Sequence, residues 1–330
     1  MSWHSLARGE LSWETLRRRS RILESTRAFF RGRGFHEVDP PIAQPYPNID
    51  PNIFPVKVSD PAGRTSDRYL HTSPEMSMKK LLAAGSGNIF YLGKVFRDRE
   101  GSPLHRPEFT MLEWYRVGEP ADSVMQDAED LLRSLARQTA GKEEISHRGR
   151  RIPLPPRWRR WELAEAFAER LGCPPGDTEG LRAALSGKGI RAGQDETWED
   201  LFFRAVVDVI EPALAEMGTV FLTGYPAALA GMARRREDDG TLSERFEGYL
   251  AGIELVNGYE ELTDPREQEE RLVELSARHA RQTGMSLPVD PEFLDALRAG
   301  LPACSGAALG MDRLVMLLLG KETIGEVTFG

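Results

Sequence analysis

The sequence predicts an α+β fold, in which helices pack around mostly antiparallel strands. Two strand-like segments, residues 89–97 and 109–116, are separated by a polar loop and predict an antiparallel hairpin. A strand of small residues at 306–310 runs into the apolar helix 314–319 near the C-terminus. Most of the remaining chain has the apolar period of amphipathic helices, and together these patterns predict the α+β arrangement.

The N-terminal part begins with an amphipathic helix over residues 13–33, which ends at glycines and has an arginine-rich outer face. Residues 34–42 form a predicted strand that two prolines stop. Because proline cannot donate to a sheet ladder, we expect this strand at a sheet edge or an interface. The segments that follow are a loop over 45–68 with a short strand at 54–58, a strand at 69–72, and a helix at 76–84.

Beyond the hairpin, the pattern changes repeatedly between the helical and the strand periods. The predicted elements are helices at 122–138, 161–171, 179–185 and 198–217, an arginine-rich hairpin at 141–160, and strands at 219–223 and 245–256. Two further helices begin at 264–265 and 290–291, where Asp caps the helix and Pro occupies its first position. We expect them to end at Gly284 and Gly300.

The composition is that of an ordinary globular protein of 330 residues, with a net charge of −8 and a pI of about 5.5. A protein that binds nucleic acid along its backbone is usually basic, so broad RNA binding is not expected. The two cysteines, Cys173 and Cys304, have no disulfide or metal-ligand spacing, which fits a reducing cytoplasm. No apolar stretch of the sequence reaches the length of a membrane span.

Three segments of the sequence carry the cations and carboxylates that activation of a carboxylate by ATP requires. They are residues 95–97 with 106–115, residues 252–258 and residues 306–314. Such a reaction needs a cation at the α-phosphate, further cations or Mg²⁺ at the pyrophosphate, and a platform for the adenine. We predict that Arg97 contacts the α-phosphate and Arg313 the γ-phosphate. Glu254 and Glu261 are predicted to share Mg²⁺, because Mg²⁺ prefers carboxylates and phosphates. The adenine would stack on Phe109, which we expect to pack against Arg313.

These segments resemble motifs 2 and 3 of the class II aminoacyl-tRNA synthetases, and residues 34–41 resemble motif 1, the dimer-forming element. Within this class, residues 72–75, 109–115 and 257–262 are similar to the lysyl branch. The similarity covers roughly residues 14–328. It implies the class II catalytic fold, an antiparallel sheet flanked by helices, and a homodimer formed through motif 1.

A lysyl-tRNA synthetase would carry an anticodon-binding barrel before motif 1, where this chain has 33 residues, mostly one helix. We therefore expect residues 1–330 to form one catalytic domain without an anticodon-binding domain. In this respect the chain resembles the shortened family of elongation factor P–lysine lysyltransferases. The resemblance implies activation of (R)-β-lysine as an adenylate and transfer to a lysine side chain of elongation factor P. It also implies weak or no tRNA binding and a cytoplasmic, membrane-free enzyme.

The resemblance assigns roles to individual residues. Arg97, Glu254 and Arg313 would be catalytic. The residues implied in binding the amino acid are Ser73, Pro74, Glu75, Glu113, Tyr115, Asn257, Glu261 and Ala308. The residues implied in binding ATP are Arg97, Asp98, Arg99, Glu100, His105, Arg106, Phe109, Glu254, Leu255, Gly310 and Arg313.

Three positions depart from the family pattern. Motif 2 often continues as Arg-x-Glu, but Arg99 stands at the third position and the acid is Glu100. A shift of the loop backbone would bring the Glu100 carboxylate to the usual position. Without such a shift, the contact to the adenine amino group is lost. Arg106 replaces the usual Asn, so its ATP contact would be ionic. Ala308 stands where a lysyl-tRNA synthetase has glycine, and its methyl group would favour a β-amino substrate.

Some alternatives stay open on the sequence alone. The acceptor could be the 3′ end of a tRNA or a small amine, and the amino acid could be α-lysine or another diamine. A non-catalytic regulatory module is a further alternative, although the intact Arg97, Glu254 and Arg313 argue against it. The arginines of residues 148–160 form either a solvated hairpin or a docking patch for an acidic partner. Residues 234–239 form either a mobile loop of balanced charge or a lid over ATP.

Overall fold

A central eight-stranded sheet organises the protein, whose computed structural model describes residues 3–60 and 62–329. In chain order the strands are β1 (His36–Glu37), β2 (Ala43–Gln44), β3 (Val56–Ser59), β4 (Thr65–Leu70), β5 (Ile89–Phe96), β6 (Glu108–Val117), β7 (Glu144–His147), β8 (Arg150–Pro153), β9 (Arg159–Glu162), β10 (Thr219–Pro226), β11 (Leu242–Leu250), β12 (Ile253–Glu260) and β13 (Cys304–Gly310). The central sheet has the order β1-β5-β6-β13-β12-β11-β10-β9, and the small sheets are β2-β4-β3 and β7-β8. Only the edge pairs of the central sheet, β1 with β5 and β9 with β10, are parallel among the described strands.

Helices cover both faces of this sheet. They are α1 (Trp3–Ala7), α2 (Trp13–Arg31), α3 (Glu75–Ala83), α4 (Ala121–Ala140), α5 (Leu163–Leu171), α6 (Thr178–Gly187), α7 (Trp198–Ala205), α8 (Glu211–Met217), α9 (Pro265–Thr283), α10 (Pro291–Gly300) and α11 (Met311–Leu318). A π-helical turn joins α7 to α8 over Val206–Ile210. None of the described helices is long and apolar enough to cross a membrane. The predicted α+β architecture is confirmed.

The two-residue period of the strands divides the core into two layers. In β5, Phe90 and Leu92 belong to the cluster that packs against α2, α4 and α11, whereas Ile89 and Tyr91 belong to the cluster beneath α3, α9 and α10. Alternate side chains of a strand point to opposite faces, so each layer receives every second residue. A third cluster lies between α5 to α8 and β10 at the far end of the sheet.

The predicted single strand over residues 245–256 is wrong. Two strands, β11 and β12, occupy this region and pair antiparallel around a tight turn. Ala251 and Gly252 have φ angles of 58° and 78°, which is the backbone of a turn with two left-handed residues. Such turns match the twist of a two-residue hairpin. The apolar run around the turn conceals it, because Ala251 offers no ordinary turn signal.

Other element boundaries move by a few residues. The predicted strand at 69–72 is instead β4, Thr65–Leu70. The segment predicted as one hairpin, residues 141–160, is divided between a hairpin and the central sheet. Strands β7 and β8 form the hairpin, whereas β9 joins the central sheet beside β10. Helix α5 therefore begins at Leu163 rather than at residue 161. Predicted strand 34–42 shortens to β1, and its place at the sheet edge is confirmed.

Candidate active site

Two adjoining cavities lie on the sheet face beneath α3 and α9. The larger has a volume of about 430 Å³ and the smaller about 170 Å³. Residues Arg97, Met111, Glu254, Asn257 and Ala308 line both cavities. The cavities are therefore neighbouring parts of one site, and a ligand in one can contact a ligand in the other.

Glu113 is a buried carboxylate that lines the larger cavity. Its two oxygens accept hydrogen bonds from the Ser73 hydroxyl at 2.6 Å and from the Tyr115 hydroxyl at 2.8 Å. Glu113 and Tyr115 share a face of β6 because they are two residues apart, as the sequence predicts. Burial and the nearby charge of Glu75 together raise the pKa of Glu113 to about 7, against the opposing effect of the two hydroxyl hydrogen bonds. Such a carboxylate becomes fully ionised when a cation binds beside it.

Lys79 is a site residue that the sequence analysis missed. Its ammonium lies 2.7 Å from a Glu75 carboxylate oxygen and forms a second ion pair with Glu261. The Tyr259 hydroxyl also donates a hydrogen bond to Glu75, and the Tyr259 ring centre lies 5.2 Å from the Lys79 nitrogen. Glu75 and Lys79 are four residues apart on α3, a spacing that places both side chains on one helix face. That spacing was the available signal.

The ionisation of this cluster depends on burial and on its own charges. Burial raises the pKa of Glu261 to about 8; the Lys79 ammonium acts in the opposite direction, and the Glu75 charge raises it. Burial alone would lower the pKa of Lys79, but the charges of Glu261 and Glu75 outweigh it and raise that pKa. Lys79 is therefore a permanent cation within a carboxylate-rich pocket.

Three arginines, Arg97, Arg106 and Arg313, line the smaller cavity. The Arg97 guanidinium lies 5.1 Å from the centre of the Phe109 ring and donates a hydrogen bond to the Thr72 carbonyl at 3.3 Å. Arg313 donates to the Glu254 carbonyl at 2.7 Å. The sequence analysis expected Phe109 to pack against Arg313, but the cation over its ring is Arg97, because the hairpin register places Phe109 beside the end of β5. Phe109 and Arg313 line the same cavity.

The motif 2 loop brings an acid into the smaller cavity in spite of the irregular spacing. Arg99 has a φ of 63°, and its guanidinium lies 4.1 Å from the centre of the Phe54 ring. Glu100 lines the smaller cavity, and its burial raises its pKa. The left-handed backbone at Arg99 is thus the backbone shift that allows Glu100, rather than residue 99, to face the smaller cavity. Asp98 and Arg99 line neither described cavity, and Asp98 donates its N–H to the Phe54 carbonyl at 2.7 Å.

The structure does not bring Glu254 and Glu261 together at a shared metal. They are seven residues apart along an extended strand, roughly 20 Å at the usual rise per residue, whereas Mg²⁺ binds oxygens at about 2.1 Å. Glu261 is paired with Lys79. The acid beside Glu254 is Glu247 of β11, which the sequence analysis did not consider. Burial and the Glu247 charge raise the pKa of Glu254 to about 7.

No group of three or more His, Cys, Asp or Glu side chains able to hold a metal occurs in residues 3–60 and 62–329. Oxygen donors for Mg²⁺ would therefore come from Glu247 and Glu254 together with the phosphates of a bound nucleotide. The charge of Glu247 raises the pKa of the neighbouring Glu254, because two like charges repel each other. A divalent cation bound between two carboxylates removes this repulsion. The donor set fits Mg²⁺.

The other residues expected in the site divide between the cavities. His105, Arg106, Leu255 and Gly310 line the smaller cavity, and Ser73, Glu75, Tyr115 and Glu261 line the larger. Burial lowers the pKa of His105, and the charges of Arg313 and Arg97 lower it as well, so a neutral imidazole faces the Arg313 guanidinium. Pro74 lines neither described cavity; it precedes α3 as its N-cap residue.

The arginine-rich segment at 148–160 is partly structural. Arg157 and Arg160 bind the carboxylate of Asp122 at 2.8 and 2.9 Å, and Arg160 also pairs with the buried Glu129. These pairs attach β9 and the loop before it to α4. The guanidinium groups that Arg157 and Arg160 could offer to a partner's carboxylates are thus already paired with acids of this chain, which favours the solvated hairpin over a docking patch.

The segment 234–239 is attached to the surrounding elements by ion pairs. Its arginines bind Glu260, Glu267 and Glu162 at 2.7, 3.1 and 2.8 Å, from Arg234, Arg235 and Arg236 in that order. None of residues 234–239 lines either of the two cavities described above. The structure therefore places this segment beside the site and not over the nucleotide cavity.

Comparison with known proteins agrees with this geometry. The family profile described as tRNA synthetases class II (D, K and N) matches residues 2–329. The chain belongs to the class II aminoacyl-tRNA synthetase family. Among its relatives, the elongation factor P–(R)-β-lysine ligase of Salmonella arizonae is 36% identical over 94% of this chain and 93% of its own length. The protein of the same name from Salmonella gallinarum has the same identity and coverage.

Class II membership gives the two cavities an orientation. The hairpin β5–β6 carries motif 2, and β13 with α11 carries motif 3. Arg97 and Arg313, which the resemblance implies in binding ATP, line the smaller cavity, and we propose it as the nucleotide cavity. Glu75, Glu113 and Glu261, which the resemblance implies in binding the amino acid, line the larger cavity, and we propose it as the amino-acid cavity.

Proposed function

We propose that this protein activates (R)-β-lysine with ATP and transfers the β-lysyl group to a lysine side chain of elongation factor P. The observation that carries the proposal is the carboxylate-rich cavity directly beside a cation-lined nucleotide cavity. The near full-length relatives named as elongation factor P–(R)-β-lysine ligases supply the substrate and the acceptor. A diamino acid suits the larger cavity, because its ammonium groups require acceptors and Glu75, Glu113 and Glu261 provide them.

The first step joins the amino acid to AMP. An oxygen of the substrate carboxylate attacks the α-phosphorus, and pyrophosphate leaves with the electrons of the broken phosphoanhydride bond. Arg97 lies where both cavities meet, so its guanidinium would neutralise the charge that gathers on the α-phosphate. Arg313 would hold the terminal phosphate, and Phe109 would support the adenine from below the ring.

The second step forms an amide. The uncharged amine of the acceptor lysine attacks the carbonyl carbon of the adenylate, AMP leaves, and the amine nitrogen loses a proton. The protein supplies position and charge in both steps, since neither requires a covalent bond to the enzyme. Bound Mg²⁺ would supply positive charge for the departing pyrophosphate, and Glu247 and Glu254 would hold it.

We also propose that the enzyme works in the cytoplasm as a homodimer, from one catalytic domain spanning residues 1–330, with weak or no tRNA binding. Residues 34–41, the segment similar to motif 1, lie at the edge of the central sheet, where a second copy has access. The acidic net charge of −8 does not favour tRNA. Light scattering on the purified protein tests the dimer; a monomer at micromolar concentration would contradict it.

Exchange of labelled pyrophosphate into ATP with a panel of amino acids tests the function directly. We expect the strongest exchange with (R)-β-lysine and weaker exchange with α-lysine. Mass spectrometry of elongation factor P after incubation with enzyme, ATP and the amino acid should show one added lysyl group. Unfractionated tRNA incubated in parallel should stay at background.

The same experiment separates the alternatives. Charging of a lysine tRNA without labelling of elongation factor P would assign the enzyme to tRNA. The absence of exchange with every diamino acid would favour a non-catalytic regulatory module.

A further inference from the structure

A buried cation lies behind the wall of the amino-acid cavity, paired with two of the carboxylates that line it. Lys79 is 2% exposed and lies between Glu75 on its own helix and Glu261 at the end of β12. A third carboxylate, Glu113, lines the same cavity. We propose that Lys79 is a positioning residue that orients Glu261 toward the substrate and stabilises its ionised form when an ammonium group binds, and that it cancels one of the three carboxylate charges. This inference rests on the proposed function.

Burial makes the internal cation necessary. The side chains of Lys79 and Glu261 are each 1% exposed, and an isolated carboxylate in such a place would take up a proton rather than stay charged. Apart from the ion pair with Lys79, neither oxygen of Glu261 has a hydrogen-bond partner in the part of the chain that the structure describes. Glu261 therefore faces the cavity with oxygens that can still accept hydrogen bonds from an ammonium group. The Lys79 charge favours the ionised carboxylate that such a contact requires.

The charge balance defines the class of substrate. With Glu75, Glu113 and Glu261 ionised and Lys79 protonated, the four side chains carry a net charge of −2. A substrate with two ammonium groups at this end neutralises the cavity, whereas a substrate with one leaves a buried charge unbalanced. Lys79 thus occupies the place of a third ammonium group, and the cavity selects a diamino acid by charge as well as by shape.

Other titratable groups surround the pair from every neighbouring element. They are Glu75 on α3, Glu113 and Tyr115 on β6, Tyr259 on β12 and Cys304 on β13. Burial raises the pKa of Tyr115, Tyr259 and Cys304, and the nearby carboxylates raise it too, so these three stay neutral at neutral pH. Glu113 and Glu261 are therefore the groups of this cluster whose charge changes near pH 7 to 8, and Lys79 stays a cation there.

Pyrophosphate exchange by a Lys79→Met variant tests the inference. At pH 7 we expect the KM for (R)-β-lysine to rise about 10- to 100-fold, the range of effects seen when a supporting partner of a bound group is removed. The KM for ATP should stay within about twofold, because Lys79 does not line the nucleotide cavity. Without its cation, Glu261 has a pKa above the value of about 8 that it has in the parent, so the KM of the variant for the amino acid should still fall between pH 8 and 9, where that of the parent levels off. Lys80→Met is the matched control, since the neighbouring Lys80 pairs with Asp290 and Glu292 outside the cavity.

A double variant shows whether Lys79 acts through Glu261. Lys79→Met combined with Glu261→Gln removes both fully buried charges. The other partner of Lys79, Glu75, is 15% exposed and keeps its hydrogen bond from Tyr259, so the double variant should fold even where Lys79→Met does not. We expect it to lose no more activity than Glu261→Gln alone, because coupled residues are not additive. Additive losses, or a folded Lys79→Met variant whose KM and pH profile match the parent, would overturn the inference. If the parent enzyme itself shows no exchange with any diamino acid, the proposed function fails and takes this inference with it.

Discussion

Arg19 of helix α2 forms an ion pair of 2.5 Å with Asp312, the residue directly before Arg313. Arg19 also donates to the Thr110 hydroxyl at 2.9 Å, and the Thr110 N–H donates to Asp312 at 3.0 Å. One carboxylate therefore joins the helix before motif 1, the motif 2 strand and the motif 3 helix. The position of Arg313 at the nucleotide cavity depends on this junction.

Replacement of Arg19 by Met should destabilise the protein strongly. The Arg19 and Asp312 side chains are 12% and 4% exposed, and removing one partner of a buried ion pair costs roughly 3–5 kcal/mol. Urea unfolding measures this loss. The control Arg17→Met changes an exposed arginine of the same helix and should stay within about 0.5 kcal/mol of the parent. A loss for Arg19→Met as small as that of the control would show that the junction does not contribute to stability.

Removal of the Arg97 guanidinium should nearly abolish adenylate formation. Loss of one preorganised partner of a developing charge typically lowers the rate by about 10²–10³-fold. Pyrophosphate exchange by Arg97→Ala measures this effect. Lys94→Ala provides the control, since Lys94 lies on the same strand and pairs with the exposed Glu108. Exchange near the parental rate in Arg97→Ala would withdraw the α-phosphate assignment.

The methyl group of Ala308 should influence the choice between β-lysine and α-lysine. Ala308 lines both cavities and pairs with Glu113 on β6 and Asn257 on β12, so its methyl group faces the reacting end of the substrate. One methyl group in a close-fitting pocket changes discrimination by about 10- to 200-fold. We expect Ala308→Gly to raise exchange with α-lysine and to narrow the preference for β-lysine. Ala303→Gly, at an exposed position directly before the same strand and outside both cavities, serves as the control, and an unchanged β-to-α ratio in Ala308→Gly would exclude Ala308 as the selector.

Substitution of Glu247 should weaken the use of Mg²⁺. If Glu247 and Glu254 hold the metal, Glu247→Gln should raise the Mg²⁺ concentration that gives half-maximal exchange by at least about tenfold. The control is Glu244→Gln, which changes an acid of the same strand that pairs with Arg236. A magnesium titration that does not shift in Glu247→Gln would remove this residue from the metal site.

The free enzyme should lose stability as the pH rises from about 5 to 8 in the absence of substrate. The pKa of Glu113 rises from 4.5 in a free carboxyl group to about 7 in the folded protein, so the folded state binds more protons than the unfolded state between these values. Stability falls with rising pH wherever the folded state holds the extra protons. Glu113→Gln should flatten this decline in a series of urea titrations, whereas Glu108→Gln, on the exposed end of the same strand, should not. An equally steep decline in Glu113→Gln would assign the pH dependence to other groups.

Local patterns in the sequence were sufficient for most of the secondary structure. Asp264 and Asp290 are the N-cap residues of α9 and α10. Each accepts hydrogen bonds from backbone N–H groups in the first turn of its helix, as the Asp-Pro pairs predict. The hairpin β5–β6 and the strand β13 also lie where the sequence places them. These features depend on a few neighbouring residues, and that is why they can be recognised without the fold.

The sequence by itself determined the class of the fold and the family, because short motifs of fixed spacing carry that information. Only the tertiary structure decided which acids meet. It placed Glu247 rather than Glu261 beside Glu254, and it brought Lys79 between Glu75 and Glu261. The turn at 251–252 reverses the chain, and the helix α3 packs across the strand ends. Distances between residues far apart in sequence depend on strand order and helix packing, which local periodicity does not contain.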